Sequence, residues 1–214
     1  MIGALWAIAL REMRLKARRG GWAAALGLFL TAGSLSALSL GRDADLLASA
    51  GPGVLWLTTL LCLLVGLDGV HEDDQNSDTF LLYRITSVPL SIVMIVKALI
   101  AWALTCLPIT LISPLLLASL GAPNIVGGAI GFLLGTPAVS LFATALGAVA
   151  AKMRRGAALV LFLALPLLTP VLILGPASAT GPATIPLLLM AAYSLQALAI
   201  CPFIAASAIR TQMA

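Results

Sequence analysis

Six long apolar runs separate the few charged residues of this chain, and they restrict it to a membrane-spanning helical fold. The runs cover residues 22–40, 52–70, 92–120, 125–150, 157–175 and 184–209. A helix needs about 20 apolar residues to cross roughly 30 Å of hydrocarbon. Only 9% of the 214 residues are charged, and a soluble domain carries about 25%. The sequence therefore predicts an all-α membrane protein, a single domain over 1–214 with six transmembrane helices.

The basic residues indicate how this bundle is oriented. If both termini face the cytoplasm, all of the 12 lysines and arginines except Arg42 lie at cytoplasmic ends or loops. Basic residues in short loops remain cytoplasmic, so this split predicts a multi-pass protein with both termini in the cytoplasm. The net charge of +4 then faces anionic lipid headgroups, and no nucleic-acid partner is expected.

The segment before the first run has the pattern of an amphipathic helix. Arg11, Arg14 and Arg18 share one helical face. A neighbouring face carries large apolar side chains, namely Trp6, Leu10 and Met13. This pattern predicts a helix that lies in the cytoplasmic interface before the first crossing. The alternative is a positively charged flank that only anchors the first span.

Glycine and proline within the runs predict close packing and kinks. The fourth run carries a series of glycines, at Gly127, Gly128, Gly131 and Gly135. Proline removes a helical hydrogen bond, and in lipid the freed carbonyl needs another donor. Four hydroxyl side chains near the prolines are expected to supply it: Thr105, Thr110, Ser113 and Thr169. The alternative is that both residue types are simply common in transmembrane helices.

Residues that could act in catalysis or bind a metal ion are scarce. The chain has no G-x-x-x-x-G-K-[ST] sequence, so no P-loop is recognisable and no ATP hydrolysis by the chain itself is expected. His71 and the carboxylates after it lack the spacing of zinc ligands. They also fail as a calcium loop, because Asp78 stands where that loop needs glycine. We therefore predict no catalytic residue and no metal site.

Two charges and three cysteines fall inside the apolar runs. Asp68 and Lys97 lie near predicted cytoplasmic ends, so Lys97 is expected to snorkel to the interface and Asp68 to reach the acidic loop. The cysteines are Cys62, Cys106 and Cys201. An odd number of thiols in hydrocarbon predicts reduced, packed side chains and no disulfide framework.

The connection between the second and third runs, residues 71–91, differs from the other loops. It reads HEDDQNSDTFLLYRITSVPLS, opening with acidic residues and continuing with an aromatic and aliphatic stretch. That stretch is Phe80, Leu81, Leu82 and Tyr83. An apolar segment on the cytosolic side needs a cover, which a partner protein or the headgroup layer would provide.

Several stretches occur together in the order and spacing of a known family. They are AGPGVLW at 50–56, EDD at 72–74, LPITLISPLL at 107–116, LLGTPAVS at 133–140, RRGAAL at 154–159, LPLLTP at 165–170 and CPFIAASAIR at 201–210. At these residues the sequence resembles haem exporter protein B, the cytochrome c maturation (CcmB-type) permease of an ABC transporter. It departs from the family in the loop, where Asp78 and Phe80-Leu81 stand in place of a glycine and a Leu-Glu pair.

The resemblance implies an ABC-exporter-type half-permease in the bacterial inner membrane, dimeric and bound to a separate ATP-binding cassette ATPase subunit. It implies work with a haem-handling membrane protein and a haem chaperone, with haem as possible cargo and no resident cofactor. The loop after the second helix would dock into the ATPase through Asp73, Asp74, Phe80, Leu81, Leu82, Tyr83 and Arg84. The alternative function is a membrane scaffold that assembles haem-handling proteins and the ATPase without transporting anything.

Overall fold

The computed structural model describes residues 2–41, 43–67, 89–150 and 156–213, and these residues are almost entirely helical, without a strand. The helices are α1 (Ile2–Arg19), α2 (Gly21–Ser39), α3 (Ala44–Leu67), α4 (Leu90–Ala101), α5 (Leu107–Ser119), α6 (Ile125–Ala150), α7 (Gly156–Thr180) and α8 (Thr184–Met213). A π-helical turn, Trp102–Cys106, joins α4 to α5. The all-α prediction is confirmed.

Among the residues that the structure describes, five helical segments are long and apolar enough to cross a membrane. They are α2, α3, the continuous unit from α4 to α5, α6 and α8. The described apolar part of α7, Ala164–Thr180, is shorter than these. The structure therefore supports five spans directly.

Helix α3 begins at Ala44, well before the apolar run that starts at residue 52. The Asp43 carboxylate accepts hydrogen bonds from the backbone N–H groups of Asp45 (3.1 Å) and Leu46 (3.2 Å), and so caps the helix. Pro52 consequently lies inside the helix. Residues 44–51, which lie between the first two apolar runs, are helical because the Asp43 cap starts α3 before the apolar run begins.

Helix α6 is the centre of the bundle and contacts α3, α4, α5, α7 and α8. Its glycines allow α7 to approach closely. A Cβ atom on Gly127 would overlap the backbone carbonyl of Ser178, and one on Gly128 would lie 2.9 Å from the Cβ of Ala179. The expectation that the glycine face of this helix serves close packing is confirmed.

Ser113, one of the hydroxyls expected to serve a proline, does so. Pro114 frees the carbonyl of Thr110, and the Ser113 hydroxyl donates to that oxygen at 2.9 Å. Thr169 instead donates to Leu165, a carbonyl that no proline frees. For Thr169 the expectation is wrong, because its hydroxyl bonds the i−4 carbonyl of Leu165 and not the carbonyl of Pro166, which Pro170 frees.

Candidate functional site

Helix α1 packs along α4 and exposes side chains from both of its predicted faces. Gly20, with φ at 71°, turns the chain sharply between α1 and α2. Arg14 and Arg18 are exposed and Arg11 is partly exposed. On the neighbouring face Trp6 is 66% exposed and Met13 45% exposed. An apolar and basic surface of α1 thus remains free while another face contacts α4.

The contact between α1 and α4 contains a buried ion pair. The Lys97 Nζ atom lies 3.1 Å from the Glu12 Oε1 atom, and the two side chains are only 1% and 5% exposed. Arg11 Nη1 approaches the same carboxylate oxygen at 3.5 Å from the partly exposed side. Two desolvated charges at this distance interact strongly, but removing either leaves a buried charge and costs about 3–5 kcal/mol.

This pair corrects the sequence interpretation of Lys97. A lysine near a helix end was expected to extend its ammonium group to the interface, but Lys97 is among the large side chains that are fully buried. Its charge is satisfied inside the fold because Glu12 on α1 reaches it. Sequence reasoning missed Glu12. The available signal was that Glu12 is the sole acidic residue in the otherwise basic helix Ile2–Arg19.

Just beyond Lys97, the π-helical turn is bonded to α6. The Trp102 indole N–H donates to the Thr136 hydroxyl at 3.0 Å, and Thr136 donates in turn to the carbonyl of Phe132 at 2.7 Å. The Thr110 hydroxyl lies 3.4 Å from that of Thr136. π-helical turns are frequent at functional sites and commonly kink a helix. Here the turn is held at a fixed rotation against the central helix.

The change Thr136→Val tests the importance of this bond. Valine keeps the shape of threonine but leaves the Trp102 indole N–H without its acceptor, so we expect a loss of roughly 1–3 kcal/mol of stability. Thermal unfolding of the purified protein in detergent measures this. Thr31→Val is the matched control, because the Thr31 hydroxyl is exposed and bonds only backbone carbonyls within α2. Equal stability of both variants would show that the Trp102–Thr136 bond contributes nothing.

Trp56 of α3 fills the space between α6 and α7. Its indole stacks on Phe132 with ring centroids 4.3 Å apart and an angle of 10° between the planes. Gly135 and Gly175 leave room for the ring, since a Cβ on either would overlap the indole. The indole N–H is buried and has no hydrogen-bond partner among the described residues. Three helices therefore interlock around one side chain.

The three cysteine thiols are buried and form no disulfide, which confirms the prediction for Cys62, Cys106 and Cys201. The predicted docking residues lie outside the described residues. These are Asp73, Asp74, Phe80, Leu81, Leu82, Tyr83 and Arg84. Asp68 and His71 lie outside them too. The structure describes only the end of the predicted loop, where Pro89 precedes the first residue of α4.

Comparison with known proteins identifies the family to which this helical bundle belongs. The profile of the family described as CcmB protein matches residues 3–212, almost the entire chain. This chain belongs to the CcmB family. Heme exporter protein B of Rhodobacter capsulatus is 35% identical over 211 residues, covering 95% of this chain and 97% of the relative. Heme exporter protein B of Paracoccus denitrificans is 35% identical over 216 residues, covering 97% and 99%.

A CcmB relative from Escherichia coli, also named Heme exporter protein B, is 31% identical over 109 residues, which is 50% of each chain. The resemblance stated from the sequence motifs is thereby confirmed. Membership of this family and five helices able to span a membrane make the chain a multi-pass membrane protein.

Proposed function

We propose that this CcmB-family chain is the permease subunit of an ATP-driven haem exporter or haem-delivery complex for c-type cytochrome biogenesis. The observation that carries the proposal is the match to relatives named Heme exporter protein B over nearly the full length of both proteins. The chain itself contributes the membrane bundle, and a separate ATP-binding cassette subunit hydrolyses ATP. Haem is the proposed cargo or delivered ligand.

The bundle has features that suit movement between two packings, as this function requires. The π-helical turn and the prolines interrupt regular hydrogen bonding in several helices. At Gly127 and Gly128, α6 meets α7 through the small residues Ser178 and Ala179, so a small shift of α7 at these positions requires no repacking of long α7 side chains. ATP hydrolysis in the partner would bias the bundle towards one of the two packings.

We further propose six spans in the bacterial inner membrane, with α7 as the sixth. Helix α7 has 25 residues, enough to cross the hydrocarbon at about 1.5 Å per residue. Helix α1 then lies in the cytoplasmic interface. Trp6 and Met13 would enter the headgroup layer, and Arg14 and Arg18 would contact anionic lipids.

Reporter fusions test this topology. Alkaline phosphatase, active only outside the cytoplasm, is expected to be active when fused after Gly121 or Gly181 and inactive after Arg154 or Ala214. The reason is the distribution of basic residues. The fusions after Arg154 and Gly181 decide whether α7 crosses. Equal activity at these two positions would leave five spans and place the C-terminus outside the cytoplasm.

The proposed partners are the ATPase subunit, a second copy of this chain, a haem-handling membrane protein and a haem chaperone. The ATPase would bind the loop at 71–91. Because this loop leads directly into α4, the docking element is joined to a helix that contacts the central helix α6.

The proposed function is tested against the scaffold alternative by inactivating the ATPase without removing it. Cells lacking this chain should lose mature c-type cytochromes, detected by haem staining, and regain them with the wild-type chain. The chain should then be paired with an ATPase whose P-loop lysine is replaced. If the chain is a permease driven by ATP, this pairing should yield no mature c-type cytochrome although the complex still co-purifies. Normal cytochrome levels with the inactive ATPase would favour the scaffold and contradict the proposal.

A further inference from the structure

The ion pair between α1 and α4 connects the N-terminal helix to the part of the bundle that follows the 71–91 loop. Lys97 lies two turns after Leu90, where α4 begins. Its ammonium group is 3.1 Å from the Glu12 carboxylate, and both side chains are almost fully buried. Near the same contact, Ile8 of α1 packs against a cluster that includes Leu90 and Met94 of α4.

Helix α4 is also bonded to the central helix. The Ser140 hydroxyl of α6 donates to the carbonyl of Ala98 at 2.8 Å, one residue after Lys97. Helix α4 is thus bonded both to Glu12 of α1 and to Ser140 of α6. A displacement of the first turns of α4 would therefore change its contacts with both α1 and α6.

A charged pair fixes the alignment of two helices more strictly than apolar contacts between the same helices do. Apolar side chains of suitable volume hold two helices together at least as well as a buried ion pair does. They also tolerate sliding of one helix along the other, whereas a buried ammonium group needs its carboxylate at one alignment. The pair between Glu12 and Lys97 therefore specifies one register of α1 on α4, so that α1 follows α4 when it moves.

We propose that Glu12 and Lys97 are positioning residues that make α1 part of the coupling apparatus, so that the state of the ATPase is transmitted through α4 to α1. This inference rests on the proposed function, since it requires an ATPase that acts on this bundle. Helix α1 then has two roles. It contacts the membrane surface with Trp6 and Arg14, and it is fixed to the moving helix through Glu12.

The test measures two quantities per assembled complex, which are ATP hydrolysis after purification and mature c-type cytochrome in the cell. The single changes Glu12→Gln and Lys97→Met should lower the cytochrome yield by ~10-fold or more, within the range typical of coupling between sites. ATP hydrolysis should continue. The exchanged pair, Glu12→Lys with Lys97→Glu, should restore most of the yield because it restores the contact.

Ser113→Ala is the control for a merely structural effect. It removes a buried donor from the Thr110 carbonyl, far along the chain from α1, and should leave both quantities per complex unchanged even if less complex assembles. Normal yields per complex in both single variants would overturn the inference, as would failure of the exchanged pair to recover in an intact complex. If the wild-type chain supports no ATP-dependent cytochrome maturation, the proposed function fails and this inference fails with it.

Discussion

Gly175→Ala is expected to lower the stability of the bundle by roughly 3 kcal/mol, because a single added methyl group has no room. A Cβ atom at this position would overlap the Trp56 indole, with Cδ2 only 2.6 Å away and two further ring atoms closer. The indole is unable to move aside, since it is fully buried and stacked on Phe132. Thermal unfolding in detergent should show a fall of roughly 6–12 °C.

Gly27→Ala is the matched control for this change. Gly27 also lies within a helix, but a Cβ there would meet no atom within 4 Å. Alanine is better than glycine in a helix by up to about 1 kcal/mol, so this variant should unfold at the same temperature or slightly higher. Trp56→Phe in the Gly175→Ala background should recover part of the loss, because the smaller ring frees the space. A stable Gly175→Ala protein would mean that α3 and α7 separate easily, and that the interlocking around Trp56 is not important.

Much of the fold could be predicted because a membrane limits what the chain can do. In hydrocarbon every backbone group needs an internal partner, so an apolar run of sufficient length indicates a helix without further information. The glycine series of α6 was informative for a similar reason. Small residues along one helix allow close approach of a neighbour, and Gly127 and Gly128 meet Ser178 and Ala179 as that principle predicts.

The pairing of Glu12 with Lys97 could not be predicted from the sequence, because nothing local connects two residues so distant along the chain. Each had a satisfactory local explanation. Glu12 belonged to a helix whose basic face dominated the interpretation, and Lys97 lay close enough to a helix end to reach water. Only the packing of α1 along α4 removes both side chains from solvent and makes each the other's partner. One acidic residue in a basic helix and one lysine inside an apolar run were weak indications, and they did not identify the pair.

The contact between Trp56 and Gly175 could not be predicted from the sequence either. Tryptophan is common in membrane proteins, often near the interface, and a glycine in an apolar run has many possible roles. Their relation depends on the rotation of α3 and α7 about their axes. The periodicity of the runs carries no information on that rotation, since residues around the whole circumference of these helices are apolar.

The change with the largest expected effect on function is Phe80→Asp combined with Leu82→Asp, which should detach the ATPase from the complex. Burying one large apolar side chain is worth roughly 1.5–3 kcal/mol, and two buried carboxylates would add a further cost. Binding to the ATPase should therefore weaken by at least 100-fold, on the scale of about 1.4 kcal/mol for each tenfold change. Co-purification of the ATPase with the tagged chain measures this directly.

Insertion of the double variant into the membrane should be normal, because neither residue belongs to an apolar run. Gln75→Asp with Asn76→Asp is the matched control, since it adds the same charge to the same loop at positions that are already polar. If the control keeps the ATPase and the Phe80 and Leu82 variant loses it, apolar docking by the loop is supported over a general effect of charge. Retention of the ATPase by both variants would show that the loop is not the docking element. The exposed basic face of α1, at Arg11, Arg14 and Arg18, would then be the next surface to test, because it lies beside α4 and carries charge suited to an acidic rim.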